Sequence, residues 1–495
     1  MPERTEAGVA AGSEAPPLKG MRNYDVKPSD ELIRFMAEGW APPPPIAVEP
    51  HPAVTNFASR RAQISSAFPN NNLVIPTGIP KVRSNDNPYR FRPGSDFFWL
   101  TGQDEPDSVL VMRATDGGHE ATLYIEPRAD RTTPEFFVDA QRGELWVGPR
   151  RGLDETSQHL SIACAPLAQL REDLAALDGS ATVVLRGYDP DIDAAVPVHE
   201  ADAGLATALS ELRLVKDDHE VRQLERAVAA TVRGFEDIVR ALPDAMESGE
   251  RVIEGVFNLR ARVDGNDTGY GTIAAAGPHS TILHWQRNDG EVRRGELLLV
   301  DAGVESQELY TADITRTIPV SGRFTAAQRE LYELVLRAQD AGIAAVRPGA
   351  DFLDPHRAAM KVLAEGLERM QLLPVTAEEA LNEESQLYRR YTRHGTSHML
   401  GLDVHDCSHA RDDHYRNGPL LPGMVLTVEP GLYFQPDDLT VPEHLRGIGI
   451  RIEDDVLVTE DGCRVLSAAL PRAPDDIERW MAQLSDEDPQ LRRPL

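Results

Sequence analysis

Four carboxylates sit where an acid is expensive. Asp301 follows the run LLLV, Asp313 lies inside YTADITRT, Glu429 follows VLTV and Glu453 follows GIGIRI. A carboxylate in a stretch that reads as buried strand costs several kcal/mol unless a proton, a cationic side chain or a metal neutralises it. Arg316, Arg446 and Arg451 are near in sequence but offset at most three of the four charges, whereas two divalent cations balance all four. The segment RHGTSHMLGLDVHD adds imidazoles at His394, His398 and His405, and Gly395 and Gly401 favour a loop or strand over a helix there. One histidine with four carboxylates is a hard, oxygen-rich donor set that suits Mn²⁺, Co²⁺ or Zn²⁺ better than copper or an iron–sulfur cluster. Two such ions roughly 3.5–4 Å apart share bridging carboxylates, and the chemistry implied is metal-assisted hydrolysis. Taken singly, an acid in a strand is most often an edge residue facing water. Recurrence in paired strands, with a histidine loop between them, outweighs that reading.

These residues need elements to hold them. Residues 295–303 and 308–320 read as one antiparallel hairpin, and 424–434 with 447–460 as a second, so each pair carries an acid in each strand. Asp217 and Glu220 have capping-box spacing ahead of a stripe at Val221, Leu224, Val228, Val232, Phe235, Val239 and Leu242. A further stripe is expected at Val252, Val256, Leu259 and Val263, and Thr325 with Gln328 caps a helix running to about Val346. The pattern is a helix-then-two-strands unit used before residue 320 and again after it. Upstream, NNLVIP, DSVLVMR, ATLYIEP and ATVVLRG are strand-like runs among helical segments and indicate an α/β domain. The division expected is a flexible Pro-rich arm over 1–52, an N-terminal domain over 53–212, a catalytic domain over 213–485 and a tail over 486–495. His159, His356 and His414 read as ordinary structural or surface histidines. Asp403, Asp406, Asp412 and Asp413 read as a solvated loop, and Cys407 as a small buried residue.

Composition narrows the class further. The 495 residues carry 51 Lys+Arg against 80 Asp+Glu, a formal charge of −29 that repels phosphate and argues against nucleic acid as a partner. Cys164, Cys407 and Cys463 are too few and too scattered for a disulfide framework or a cysteine-based zinc site. No run approaches the roughly 18 apolar residues of a membrane span, and the N-terminus lacks an apolar signal core, so a cytoplasmic protein with no membrane partner is expected.

The segments VDAG, YTADITRT, HGTSHMLGLDVHD, TVEPGLY and GIGIRIEDD together resemble the pita-bread-fold metallopeptidases, and within them aminopeptidase P (Xaa-Pro aminopeptidase). The resemblance spans about Phe57 to Leu470. It implies an α/β N-terminal domain followed by an α+β pita-bread catalytic domain of two pseudo-symmetric halves. It places a dinuclear site on Asp301, Asp313, His398, Glu429 and Glu453, with Asp313 and Glu453 bridging and Mn²⁺ the usual metal. It also implies active-site roles for His284, His394, His405, Arg451 and Tyr433. In RSNDNPYRFRPGSDFFWLTG it makes Asp86 the acid that the N-terminal domain contributes. The implied reaction is removal of the first residue from peptides with proline second, by a metal-bridging hydroxide, with Glu429 as proton acceptor and donor. A homodimer or homotetramer is implied as well. Xaa-Pro dipeptidase (prolidase) shares the five ligands, and a non-catalytic binding protein on the same fold is the alternative from another class.

Overall fold

In the computed structural model, which describes residues 27–41 and 46–486, the chain divides between Asp202 and Ala203 into two compact units. Residues 1–26, the Pro42–Pro45 run of the expected arm and residues 487–495 of the expected tail lie outside the described residues.

The first unit is built on a sheet ordered Ala163–Pro166, Gly118–Ile125, Val109–Thr115, Asn72–Pro76, Thr182–Val184. The four apolar runs read as strands all fall in it. Its inner pairs are antiparallel and its outer pairs parallel, and the parallel pairs need long crossovers, which the intervening helical segments supply. Val74, Val109, Val111 and Val184 pack with Leu170, Leu174 and Ile192 in one core. Within the stretch expected as an arm, Asp30–Ala37 forms a helix: Ser29 Oγ accepts the Leu32 N–H at 3.1 Å, and Ile33 and Met36 pack against Phe136, Phe137 and Val138.

The second unit repeats a helix-and-strand-pair arrangement. Asp218–Arg240 begins at the expected capping box, with Asp217 accepting from the Glu220 N–H at 3.0 Å and Glu220 accepting from the Asp217 N–H at 3.1 Å. Leu297–Ala302 and Ile314–Pro319 form the first antiparallel pair, with Asp301 opposite Thr315. The second half opens with Ala326–Ala345, capped by Thr325, and continues into Asp354–Arg369. Its strand pair is interrupted on both sides. Val425–Val428 pairs with Asp454–Val458, and Gly431–Phe434 with Ile448–Arg451. The breaks fall at Glu429–Pro430 and Ile452–Glu453, where Pro430 has no N–H to give a ladder. Among the described residues no helix is long and apolar enough to cross a membrane.

One helix face differs from the expectation. Glu250–Asp264 is helical, but it buries Glu250, Ile253, Phe257 and Ala261, and leaves Leu259 41% and Val263 48% exposed. Two stripes of helical period compete in this segment, and the bulkier Ile and Phe take the core. Phe257 meets Phe235 edge-on at 6.3 Å because Gly234 leaves room, a Cβ there lying 2.6 Å from the Phe257 ring.

Asp406 also departs from the solvated-loop reading. Asp412 and Asp413 are exposed, but Asp406 is 1% exposed and bonded to both Arg213 Nη2 and Lys216 Nζ, the latter at 3.1 Å. Removing this one carboxylate takes the ion-pair partner from buried Lys216 and one of two from buried Arg213, which keeps Asp403 at 3.0 Å. Asp406→Ala is therefore expected to destabilise the protein by about 3–5 kcal/mol, read as a lower urea midpoint, with Asp406→Asn losing less. An unchanged midpoint would show that the triad contributes nothing to stability.

Candidate active site

The two strand pairs are stitched together at the acids. Glu453 N–H donates to Thr315 O at 3.1 Å, and Thr317 Oγ donates to Arg451 O at 2.9 Å while accepting from the Arg451 N–H at 3.2 Å. The Asp313 N–H donates to the Asp455 carboxylate at 3.2 Å. Arg316 is buried behind the junction, donating to Glu453 O at 2.6 Å, Thr315 O at 2.9 Å, Leu470 O at 3.0 Å and the Asp454 carboxylate at 2.7 Å. Its charge is thus spent on Asp454, and Arg446 donates to a backbone carbonyl, Val441 O, at 2.8 Å. Of the three arginines counted from sequence as possible partners, only Arg451 reaches one of the four carboxylates, meeting Asp301 at 2.6 Å. The charge deficit is larger than the sequence suggested.

The histidine segment is a loop, as its glycines imply, but it docks along a strand edge. Leu400 N–H donates to Val425 O at 2.9 Å, Thr427 N–H to His398 O at 3.0 Å and Glu429 N–H to Thr396 O at 2.8 Å. His398 Nδ1 bonds Met399 O at 3.1 Å, which fixes the proton on that nitrogen and turns Nε2 toward Asp313 at 3.3 Å and Glu429 at 3.6 Å. His405 packs perpendicular to His398, ring centroids 4.5 Å apart. His394 Nε2 accepts from the Tyr433 hydroxyl at 2.7 Å, and Tyr433 in turn accepts from Arg451 Nη1 at 3.0 Å. Burial first, and then the Arg451 charge, hold His394 neutral with its pKa down at about 3.

Asp301, Asp313, His398, Glu429 and Glu453 all line one cavity of about 450 Å³, together with His284, His394, His405, Tyr270 and Arg451. Donor atoms of Asp313, His398 and Glu453 lie within 4.8 Å of one another, a group that suits a metal ion. Protonation behaviour points the same way. Burial raises the carboxyl pKa of Asp301 and Glu453, with Asp313 adding to both, and burial lifts Glu429 to about 7. Burial alone would push His398 down, yet its bond to Asp313 and the Glu429 charge outweigh that and raise it to about 9. A pocket that draws protons onto both its acids and its imidazole is a pocket that attracts cations, and these donors fit divalent ions.

Several supporting groups escaped the sequence reading. The Tyr270 hydroxyl bonds Asp301 at 2.6 Å and Asp313 at 2.5 Å, and Thr315 Oγ donates to Glu453 at 2.6 Å. Thr315 stands inside a motif already singled out, whereas Tyr270, between Gly269 and Gly271, carries no sequence signal. The buried Glu250 accepts from Trp285 Nε1 at 2.8 Å and the Gly290 N–H at 2.7 Å, pinning the turn that presents the exposed His284. Asp86 belongs to the first unit, on the exposed turn between Val82–Ser84 and Asn87–Pro88.

Comparison with known proteins agrees with this geometry. Residues 222–460 match the family model for metallopeptidase family M24, and residues 57–185 match the aminopeptidase P N-terminal domain. Xaa-Pro aminopeptidase 1 of Streptomyces coelicolor is 53% identical over 92% of this chain and 93% of its own length. Escherichia coli aminopeptidase P, solved with the inhibitor Pro-Leu, superposes with a TM-score of 0.78 at 31% identity, over 88% of this chain and all of that one. Aminopeptidase PepP of Pseudomonas aeruginosa gives 0.77 at 30% identity, over 89% of this chain and all of that one. The two-halved second unit is thus the pita-bread catalytic fold expected from sequence, preceded by an aminopeptidase P N-terminal domain. The chain belongs to metallopeptidase family M24, among the Xaa-Pro aminopeptidases that carry this N-terminal domain.

Proposed function

We propose that the protein releases the first residue from peptides with proline second, as a dinuclear aminopeptidase. The observation that carries this is the convergence of Asp301, Asp313, His398, Glu429 and Glu453 on one cavity, with a single arginine, Arg451, bonded to any of the four carboxylates among the described residues. Asp301, Asp313, His398, Glu429 and Glu453 would hold the two ions. Mn²⁺ is the ion assigned, and Co²⁺ and Zn²⁺ suit the same donors. When bound, the ions supply Lewis-acid polarisation of the scissile carbonyl and acidify water near neutral pH.

The remaining work belongs to side chains. Glu429 accepts a proton from the attacking water and delivers it to the leaving proline nitrogen. His284 or His405 donates to the developing oxyanion, an interaction worth about 10²–10³ in rate. His394, kept neutral and oriented by Tyr433, borders the proline side, while Arg451 holds Asp301 in place. The acidic edge at Asp301 and Asp313 receives the substrate's amino terminus. We assign the protein to the cytoplasm as a homodimer or homotetramer. The test is a panel of one Xaa-Pro dipeptide, Xaa-Pro-Xaa and longer peptides, and Xaa-Ala controls, each assayed with Mn²⁺, Co²⁺ and Zn²⁺. Peptides of three or more residues with proline second should exceed the Xaa-Ala controls by about tenfold or more in kcat/KM. Turnover of the dipeptide alone would assign a dipeptidase instead.

A further inference from the structure

A second cavity, of about 1110 Å³, adjoins the metal-side one, and His394, Gly395 and Ser397 line both. The shared segment is the one that borders the proline side of the scissile bond, so a peptide continuing past proline reaches this cavity next. Its wall has an unusual charge for this chain. Arg357, Lys361, Arg389 and Arg416 line it, against Glu383 and Asp412. Arg357 is neutralised by Asp351 at 3.2 Å and Asp354 at 2.9 Å. Lys361, Arg389 and Arg416 make no ion pair among the described residues, and the bonds of Arg389 go to neutral oxygens, Gln386 Oε1 at 2.8 Å and Arg393 O at 2.9 Å.

Three unpaired cations on one wall are informative where acids outnumber bases by 80 to 51. A basic side chain on such a surface has many acids available, and three that form no ion pair, beside only Glu383 and Asp412, leave net positive potential in a concave space. After burial, it is the charges of Arg389, Arg357 and Arg416 that keep the half-buried His356 neutral, with its pKa down at about 4. At the junction of the two cavities, Ser397 Oγ is buried with no hydrogen-bond partner among the described residues.

We infer that this cavity receives the downstream end of the substrate and selects peptides that carry a carboxylate there. The carboxylate can be the free C-terminus of a short peptide or an acidic side chain. The inference rests on the Xaa-Pro peptidase reading and adds a substrate class to it: short or acidic-tailed peptides, with basic-tailed ones disfavoured.

The experiment uses the full-length, Mn²⁺-loaded protein and pentapeptides of the form Ala-Pro-Gly-Gly-Xaa. One arm compares the free C-terminal acid with the amide at neutral Xaa, and a second compares Glu, Gln and Lys at Xaa with the C-terminus amidated. We expect kcat/KM to favour the anionic member of at least one arm by about 5–20-fold at low salt, and the preference to shrink in 0.5 M NaCl, where screening shortens to about 4 Å. The Arg389→Glu/Arg416→Glu and Lys361→Glu variants should lose or invert the preference. Because the preference is a ratio measured within each variant, a loss of folded protein cancels. A wild-type ratio within twofold in both arms, or a preference unchanged in both variants, would overturn the inference. Failure to cleave any pentapeptide in the series would instead overturn the Xaa-Pro aminopeptidase reading beneath it.

Discussion

Glu453→Ala is expected to lower kcat/KM by more than about 10³-fold and to cut bound divalent metal below two ions per chain. Loss of an outer hydrogen-bond partner of a metal ligand typically lowers affinity or activity by about 10–100-fold, and Glu453 would itself hold metal, so its loss should exceed that. The carboxylate is 1% exposed, oriented by Thr315 Oγ at 2.6 Å, with its backbone held by Thr315 O and Arg316. The check is metal analysis of purified wild type and variant beside steady-state kinetics on an Xaa-Pro-Xaa peptide. Two ions per chain and activity within tenfold of wild type would remove Glu453 from the ligand set. Thermal unfolding adds a second readout. Because Asp301, Glu429 and Glu453 lie above the usual carboxyl range, these three groups hold more protons in the folded metal-free chain than in the unfolded one. For Glu429 that contribution to stability is complete below the unfolded value of 4.5 and is lost as pH rises through about 7. Metal binding also strengthens as protons leave the ligands. The rise in Tm on adding Mn²⁺ to the wild type should therefore be larger at about pH 8 than at about pH 5.5, and Glu453→Ala should flatten the difference.

The acids of this site were legible in sequence because each contradicts its surroundings. A strand alternates or is wholly apolar, and LLLV-Asp301 and VLTV-Glu429 break that rule in a way only charge compensation explains. The capping boxes at Asp217 and Thr325 were legible because their chemistry is local, complete within four residues. What escaped depends on partners distant in the chain. Tyr270 reaches Asp301 and Asp313 from 31 and 43 residues away. Asp406 reads as one of several loop acids until Arg213 and Lys216, about 190 residues upstream, are brought to it. The register of Glu250–Asp264 was decided by which stripe fits against Gly234 and Phe235, a packing choice with no trace in the period itself. The five candidate ligands were therefore readable as a recurring set, while the groups that set their protonation and orientation were not.

Glu429→Gln is the second large effect, and it separates proton transfer from metal binding. The substitution keeps size and one ligating oxygen but removes the ability to accept and return a proton, so kcat should fall by about 10²–10⁴-fold. The environment of Glu429 is arranged for that exchange. Burial brings its carboxyl to about 7 before a cation binds, one oxygen lies 3.6 Å from His398 Nε2, and the other lies 3.4 Å from His394 Nδ1. His394 does not compete for the proton, since its pKa is held down at about 3 and its Nδ1 already bonds Gly395 O at 2.7 Å. KM should change much less than kcat, because the interaction lost is made with the moving proton and not with the bound peptide. Glu429→Asp, which still titrates but falls one methylene short, should lie between Gln and wild type. Metal content measured at saturating Mn²⁺ decides the interpretation. A fall in kcat with two ions retained assigns the proton to Glu429. An equal fall in kcat and metal content would make it a ligand only, and kcat within tenfold of wild type with full metal would move the proton transfer elsewhere in the cavity.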